Sequence, residues 1–261
     1  MNINAKILTL MLLGLLISNL YAQDDNFKND PVVDTQKDVP SFRLGLHLSP
    51  NIAWLKLGTT GYSSNGARIG FAYGLSTEFY LAKNYLLSTG FSINNVGGKL
   101  QYEGVYENNG ILSPSEIKQT IKINYVDIPL SVKLKTNEIG YVTYYGNFGF
   151  NAGIKYNSKT DVEYLDFKSI KQTDVANTSN ISLININLII GGGLEYNISG
   201  NTNLAVGITF HNGFTNIIKS KTHALGADGK AIIDSNGKAV YTDKNASSNL
   251  NFFSLDMAIY F

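Results

Sequence analysis

The sequence predicts an all-β fold, an eight-stranded antiparallel transmembrane β-barrel with short periplasmic turns and long extracellular loops. Three observations lead to this prediction: segments in which apolar and polar residues alternate, connections that alternate between short and long, and an export signal at the start. Each strand of such a barrel turns one face to lipid and the other to the lumen, so alternation over about ten residues is its signature.

The start of the chain has the pattern of a signal peptide. Lys6 precedes an apolar run from 7 to 17, and the small residue Ala22 suits cleavage before Gln23. That run is shorter than the about 20 residues that a membrane-spanning helix needs. The predicted organisation is therefore a signal peptide over 1–22, a periplasmic leader over 23–40 and an outer-membrane β-barrel domain over 41–261.

The composition argues against several other classes of protein. The chain has 21 basic and 20 acidic residues, so no electrostatic case for a nucleic-acid partner follows. Charged residues make up 16% of the chain, against about a quarter in soluble proteins. Because the chain has no cysteine, we expect neither a lipid anchor on a cysteine nor a domain held together by disulfides.

Alternation places eight strands along the mature chain. The last strand shows it best, because Leu255, Met257, Ile259 and Phe261 share one face while Asp256 lies on the other. The apolar face is expected to contact lipid, and the face with the charge is expected to line the lumen. The predicted strands are 41–57, 68–81, 85–101, 119–135, 141–156, 181–198, 202–215 and 250–261.

Two of these strands contain irregularities. The third loses its phase around Asn94 and Asn95, which predicts either a β-bulge or the point where the strand leaves the membrane. The fourth changes phase near Tyr125 and contains Pro129, which cannot donate to a β-ladder and favours a local bulge.

Aromatic residues near the strand ends predict a girdle at each membrane interface, where amphipathic rings are favoured. The expected girdle residues are Trp54, Tyr102, Tyr125 and Tyr156 at the external end, and Phe79, Tyr85, Tyr141, Tyr144 and Tyr196 at the other.

The connections alternate in length, as they do in outer-membrane barrels. The short connections, at 82–84, 136–140 and 199–201, are expected in the periplasm. The long connections, at 58–67, 103–118, 157–178 and 216–248, are expected outside the cell. An even number of strands then brings both ends of the chain to the periplasm.

One segment and the final strand give the chain a resemblance to a known family. The segment is Tyr125-Val126-Asp127-Ile128-Pro129-Leu130, followed by Lys133, and the final strand ends in Phe261. The chain resembles the PorT-like outer-membrane β-barrel family common in Bacteroidetes, over nearly its whole mature length. The resemblance implies contact with outer-membrane lipid and recognition of the last strand, through Leu255, Met257, Ile259 and Phe261, by the barrel-assembly machinery. Some members act in protein secretion, so an envelope or secretion-complex protein is the implied partner.

Charged residues fall on the face that is expected to line the lumen. The predicted interior charge network consists of Arg43, Glu78, Asp127, Lys133, Glu195 and Asp256, and Lys155, His47 and His211 share that face. Side chains fill the interior of an eight-stranded barrel, and an unpaired buried charge costs several kcal/mol, so the charges are expected to pair. Arg43, Glu78, Lys133 and Glu195 lie toward the periplasmic strand ends, where they predict one network. A structural plug of salt bridges is favoured over a gated polar pathway.

No catalytic residue, cofactor or metal site is predicted. The spacing of His47, His211 and His223 matches no ligand motif, and hydrogen-bonded interior imidazoles are favoured for the first two. A lipid-acyl-transfer site of His223, Ser220 and Asp228 is an alternative that no pattern supports.

Two glycine-rich segments have structural explanations. The last long loop contains Asp228-Gly229 and Asn236-Gly237, which signal hairpin turns and predict a β-ribbon that extends the barrel sheet outward. Its aspartates lack the EF-hand spacing for Ca²⁺. Gly191-Gly192-Gly193 lacks the rest of a phosphate-loop motif and fits close packing in a narrow barrel better.

Two classes of function follow. The favoured one is a non-enzymatic structural or interaction barrel of the cell envelope, linked by the resemblance to protein secretion. The alternative is transport, either through a narrow porin-like lumen or of a hydrophobic ligand.

Overall fold

The computed structural model describes residues 41–167 and 170–261. The predicted signal peptide and periplasmic leader lie outside those residues. The strands are β1 (Phe42–Leu57), β2 (Tyr62–Ser64), β3 (Arg68–Ala82), β4 (Tyr85–Asn108), β5 (Ile111–Lys135), β6 (Val142–Tyr164), β7 (Ile170–Ala176), β8 (Ile184–Ser199), β9 (Thr202–Gly213), β10 (Lys221–His223), β11 (Tyr241–Asn245) and β12 (Ser248–Tyr260). The described residues include no helix that is long and apolar enough to cross a membrane.

Eight of these strands form a closed barrel, as predicted. Their order around the ring is β1, β3, β4, β5, β6, β8, β9 and β12, and β12 pairs with β1 to close it. Every neighbouring pair in the ring is antiparallel. Closure gives each of these strands a partner on both edges, which removes the open edges that make sheets aggregate.

The outer face of the barrel wall is apolar. Phe42, Leu44 and Leu46 on β1 are each about half exposed, whereas Arg43 between them is buried. Exposed apolar residues that alternate with buried polar ones are the pattern of a wall in contact with lipid. We call this surface the lipid belt, and its uppermost residues are Trp54, Ile69, Ile93, Val126, Ile154, Ile184, Phe210 and Phe253.

Three short turns lie at one end of the barrel, which we call the periplasmic end. They occupy 83–84, 136–141 and 200–201. The longer connections lie at the opposite, external end. The chain above the lipid belt at that end forms what we call the external lobe.

The prediction of a long loop at 103–118 is wrong. β4 and β5 keep one register from Tyr85 opposite Leu134 to Asn108 opposite Ile111, and only Asn109 and Gly110 join them. Asn109 and Gly110 have φ of 50° and 80°, as a type I′ turn requires, and Asn-Gly is a preferred pair for that turn. The dipeptide is thus the sequence signal for a hairpin that rises well above the belt.

Two other external connections also differ from the prediction. β6 continues to Tyr164 and pairs with β7, so much of the expected loop 157–178 is sheet. The predicted extension of the barrel sheet by 216–248 is wrong, because β10 and β11 form a separate two-stranded sheet. The two expected turns are present, and Gly229 and Gly237 have φ of 79° and 74°.

The irregular strands are resolved in three different ways. No register shift occurs at Asn94 and Asn95, so the bulge alternative is wrong there. The register does shift between Asn124 and Tyr125, where β6 carries an extra residue. Pro129 keeps the β5–β6 register opposite Asn151 and interrupts only the pairing with β4, so the local bulge expected there does not form.

The phase changes mark the height at which the alternation inverts. Above the belt the inward residues Val96, Leu100, Ile121 and Ile123 are almost fully buried, while Lys99 on the outer face is exposed. Where water replaces lipid outside, apolar side chains gain by turning inward. The third predicted strand, which is β4, therefore leaves the membrane near Asn94.

The external aromatic girdle is smaller than predicted. Tyr125 is 1% exposed and lies inside the barrel, and Tyr102 packs against the same buried cluster. Both residues stand above the inversion on inward positions, so they cannot contact lipid. Trp54 lies on the outer wall, where its ring contacts Phe210 and Phe253.

Candidate functional site

The lumen of the barrel is the candidate functional site, and it contains three layers. An ionic plug lies at the periplasmic end, a polar chamber lies in the middle, and an apolar plug fills the external end. Each layer is built by inward positions that alternate with the lipid belt.

The ionic plug consists of Arg43, Glu78, Lys133, Lys135 and Glu195. Arg43 lies opposite Glu78 on the neighbouring strand, and its Nε donates to Glu78 Oε2 at 2.7 Å. Arg43 Nη2 donates to Glu195 Oε1 at 2.5 Å, from β1 to β8. Lys133 Nζ lies 2.8 Å from Glu78 Oε1 and 2.6 Å from Glu195 Oε1. Lys135 Nζ lies 2.5 Å from Glu195 Oε2, so the bonds tie together four strands that are not all neighbours.

Two tyrosines pack on the cations of this plug. The Arg43 guanidinium lies 4.3 Å from the centre of the Tyr260 ring, and Lys133 Nζ lies 4.1 Å from the centre of the Tyr145 ring. Such cation–π contacts stabilise a cation that has lost its water. The rings also close the space around the ion pairs.

Glycines make room for these tyrosines. A Cβ at Gly45 would lie 2.6 Å from the Tyr260 ring, and a Cβ at Gly193 would lie 2.7 Å from the Tyr145 hydroxyl. A Cβ at Gly207 would overlap the same hydroxyl. The run Gly191-Gly192-Gly193 therefore serves close packing in this structure.

The polar chamber has a volume of about 150 Å³. Asp127 Oδ2 accepts a hydrogen bond from Asn94 Nδ2 at 2.7 Å, and Asp256 Oδ2 accepts one from Thr209 Oγ1 at 2.5 Å. Within residues 41–167 and 170–261, neither aspartate forms an ion pair. The structure therefore brings Arg43, Glu78, Lys133 and Glu195 together but places these two members of the predicted network in a separate layer.

The two interior histidines are hydrogen-bonded to serines. His47 Nδ1 lies 2.8 Å from Ser76 Oγ, and His211 Nε2 lies 3.3 Å from Ser254 Oγ. The His211 ring also stacks on Phe252, with centroids 3.9 Å apart. The two imidazole rings therefore do not share a hydrogen-bond partner.

The apolar plug fills the lumen above the chamber. Its buried residues are Ala53, Leu55, Val96, Leu100, Ile121, Ile123, Tyr125, Ile181, Ile217, Ile218, Ala246, Leu250 and Phe252. Several come from loops that fold into the mouth of the barrel. Lys155 Nζ stabilises one of them by donating to the backbone oxygens of Thr178 and Ile181, the latter at 2.6 Å.

The charges that face the lumen balance one another. The cations are Arg43, Lys133, Lys135 and Lys155, and the anions are Glu78, Asp127, Glu195 and Asp256. A low-dielectric interior tolerates charge only when opposite charges or hydrogen bonds compensate it. The balance fits a structural role for these residues.

The alternative acyl-transfer residues do not form a site. His223 lies between Tyr102 and Tyr241, with ring centroids 6.4 Å and 4.7 Å away. Asp228 Oδ1 accepts from the backbone N of Lys230 and so stabilises its own turn. In the described part of the chain, neither Ser220 nor Asp228 donates to or accepts from His223, whose ring atom Nδ1 is buried without a partner.

Sequence reasoning missed Lys135 and the apolar plug. Lys135 lies two residues after Lys133 and therefore on the same face of β5, so strict alternation places it in the lumen. Above Tyr125 the inward positions carry Ile117, Ile121 and Ile123, and this inverted alternation is the signal for the plug.

The residues of the proposed assembly signal lie along the closing seam. Leu255 and Phe261 are exposed on the outer wall, and Met257 and Ile259 are half-buried beside Leu48 and Leu46 of β1. The backbone N of Phe261 donates to Leu44 O at 2.8 Å.

Comparison with known proteins agrees with this architecture. Residues 21–219 match the family model of the outer membrane protein beta-barrel domain. No curated protein matches the sequence.

Several solved structures are similar in fold at low identity. Neisserial surface protein A is 12% identical, with a TM-score of 0.36 over 82% of this chain and 95% of that chain. The attachment invasion locus protein Ail of Yersinia pestis is 14% identical, with a TM-score of 0.34 over 83% of this chain and 98% of that chain. The outer membrane protease OmpT from Escherichia coli is 11% identical, with a TM-score of 0.41 over 84% of this chain and 96% of that chain.

Proposed function

Because the chain belongs to the family of outer membrane protein β-barrel domains, we propose that it is a plugged, non-enzymatic barrel that acts by presenting its external lobe to another envelope component. The observation that carries this proposal is the closure of the lumen at two heights. The ionic plug crosses the lumen from β1 to β8, and the apolar plug fills the external mouth.

The two plugs oppose conduction for different reasons. Passage through the ionic plug requires the separation of buried charge pairs, which costs about 3–5 kcal/mol for a single broken pair. Passage through the apolar plug removes water from an ion and offers it no polar partner. A solute would have to overcome both barriers in sequence.

The link to a partner in protein secretion rests on the resemblance to the PorT-like family. It is supported by the size of the external lobe, in which β4, β5, β6 and β7 form a sheet above the belt. Surface sheets and loops on a rigid scaffold are where proteins commonly carry their binding residues.

Conductance of the refolded chain in a planar lipid bilayer tests the proposal. We expect no steady open-channel current under an applied voltage, whereas an open porin inserted in the same bilayer gives one. We also expect no current from the variant Arg43→Gln, because the apolar plug still closes the lumen. A steady current from the unmodified chain would overturn the plugged barrel.

Transport is the second candidate, and the polar chamber is the observation that favours it. Asn151 faces this chamber, is 2% exposed, and has no hydrogen-bond partner for either side-chain polar atom among the described residues. An unsatisfied buried amide is costly, so the chamber suits polar contents. The same conductance measurement decides between a narrow porin-like pathway and the plugged scaffold.

A further inference from the structure

A cavity lies in the external lobe directly above the apolar plug, and we call it the aromatic cup. Its volume is about 190 Å³. Its floor consists of residues of the apolar plug, namely Leu100, Ile121, Ile181 and Ile218. We propose that the aromatic cup binds a neutral sugar ring, the terminal hexose of an oligosaccharide that arrives from outside the cell. The inference goes beyond the proposed function, because it needs the apolar plug as a floor but needs no protein partner.

One wall of the cup is a row of aromatic rings. Tyr62 and Tyr102 lie opposite one another on β2 and β4, and their rings stack with centroids 4.7 Å apart. The His223 ring lies nearly parallel to Tyr102 at 6.4 Å, and its centroid is 4.7 Å from that of Tyr241. Tyr241 also lines the cup and is 51% exposed, so ring surface remains uncovered at this end of the row. The negative face of an aromatic ring attracts the weakly positive C–H bonds on the face of a sugar.

Polar side chains line the rest of the cup and have no partners in the fold. They belong to Gln119, Asn180 and Ser220. Asn180 and Ser220 use their backbone oxygens in hydrogen bonds, while the side chains of all three neither donate nor accept among the described residues. An amide supplies two donors and an acceptor, and a hydroxyl supplies both functions. These free groups suit a ligand with several hydroxyls, each of which both donates and accepts.

Asn177 adds a polar group whose orientation is fixed. It lines the cup and is 9% exposed, and its Nδ2 donates to Thr160 Oγ1 at 2.7 Å. Its Oδ1 accepts no hydrogen bond within residues 41–167 and 170–261. A preorganised acceptor costs a ligand less entropy than a mobile one. The amide of Asn177 is therefore ready to accept from a sugar hydroxyl.

The cup is almost uncharged, which favours a neutral ligand. Among the described residues that line it, only Lys221 carries a charge, and this residue is exposed. Burial raises the pKa of Tyr62 to about 12, raises the pKa of Tyr102 as well, and lowers the pKa of His223. The phenols and the imidazole therefore stay neutral near pH 7. A cation would find no carboxylate here, and an acyl chain would leave the amides without partners.

The size of the cup limits the ligand to a single ring. Sites for drug-sized ligands occupy about 300–1,000 Å³, and the cup is smaller than that range. Its exposed lining residues are Asn180, Lys221 and Tyr241. The remainder of an oligosaccharide would stay outside the cup. The cavity therefore fits the end of a sugar chain.

Calorimetric titration of the refolded full chain in phosphatidylcholine nanodiscs tests the inference. The neutral probes are maltotetraose, cellotetraose, mannotetraose and galactotetraose, and the acidic probe is tetragalacturonate. Each is added up to about 10 mM, because one stacked ring with a few hydrogen bonds gives a Kd of about 1 mM. We expect saturable binding of at least one neutral sugar and weaker binding of tetragalacturonate.

Variants of the cup are compared with matched variants elsewhere in the external lobe. Tyr241→Ala is expected to weaken binding about tenfold, whereas Tyr241→Phe keeps the ring and stays within about threefold of the unmodified chain. Gln119→Leu removes about one hydrogen bond and is expected to weaken binding about two- to tenfold. The controls Tyr106→Ala and Gln172→Leu make the same exchanges at residues that do not line the cup, and binding is expected to be unchanged.

The proposal is overturned if no neutral sugar binds or if only tetragalacturonate binds. It is also overturned if Tyr241→Ala and Gln119→Leu bind as the unmodified chain does, or if the two controls weaken binding equally. Circular dichroism establishes that each variant is folded, and the two cup variants change separate strands, so failure of one to fold leaves the other as the test. Calorimetry reports on the cup and conductance on the plugged lumen, so either proposal can fail without the other.

Discussion

Glu195 forms ion pairs with three cations at once. Arg43, Lys133 and Lys135 all lie within 2.6 Å of its two oxygens. Its removal would leave buried cations with Glu78 as their remaining carboxylate partner in the ionic plug. Glu195 is therefore the carboxylate on which most ion pairs of the plug converge.

Replacement Glu195→Gln is expected to destabilise the protein strongly. An uncompensated buried charge costs about 3–5 kcal/mol of the free energy of unfolding. Urea titration of the refolded chain in lipid vesicles measures the change. Glu163→Gln is the control, because Glu163 pairs with Lys171 at 3.4 Å on the exposed surface, where a pair contributes about 0–1 kcal/mol. Equal losses in the two variants would contradict the role of the plug.

For individual side chains, the sequence predicts which face of a strand they occupy better than which residues they contact. Alternation places Arg43, Glu78, Lys133 and Glu195 in the lumen, and the structure brings them together. It places Asp127 and Asp256 in the lumen equally well, yet these aspartates contact Asn94 and Thr209. Period-2 alternation gives the face of a strand, but partners across the lumen depend on the stagger of strands that are far apart in sequence.

The long hairpin of β4 and β5 has a lower part whose outer face contacts lipid and an upper part whose outer face contacts water. Below Asn94 and Tyr125 its apolar residues face lipid, and above them its apolar residues face the apolar plug. The surroundings of the outer face thus change from lipid to water along the hairpin, while the β4–β5 register stays the same. The sequence locates this phase change. It does not reveal the cause, because the apolar face of each strand is expected to contact lipid.

Replacement Ile123→Asn tests this inversion. Ile123 is 0% exposed in the apolar plug, so loss of its packing together with a buried, unpaired amide is expected to cost about 3 kcal/mol or more. The neighbouring Lys122→Asn points outward and is expected to change stability by less than about 1 kcal/mol. Denaturant midpoints of the two refolded variants provide the measurement. A greater loss from Lys122→Asn would show that the faces are assigned the wrong way round.

For the molecule as a whole, the number and order of barrel strands follow from the sequence, while the loop contacts of the external lobe do not. Each barrel strand carries its own alternation, so its existence is a local property. The packing of Ile181, Ile217 and Ala246 into the mouth is a contact between distant loops, with no periodic pattern to announce it.

Replacement Phe261→Ala tests whether the last strand is read during assembly. Phe261 and Phe42 lie at the same end and are 56% and 53% exposed, so their removal costs similar contact with lipid. If the barrel-assembly machinery recognises Phe261, Phe261→Ala is expected to lower folded protein in isolated outer membranes several-fold, whereas Phe42→Ala is not. Equal yields of the two variants would contradict recognition of this residue.

The pairing of β1 with β12 joins Gly45 to Tyr260, nearly the two ends of the barrel sequence. Contacts of such long range form late in folding, because the intervening chain must be ordered first. Until the final residues arrive, β1 has one unpaired edge, which is a template for any extended chain nearby. The time between export of the first strand and arrival of the last therefore sets how long this protein is vulnerable to aggregation.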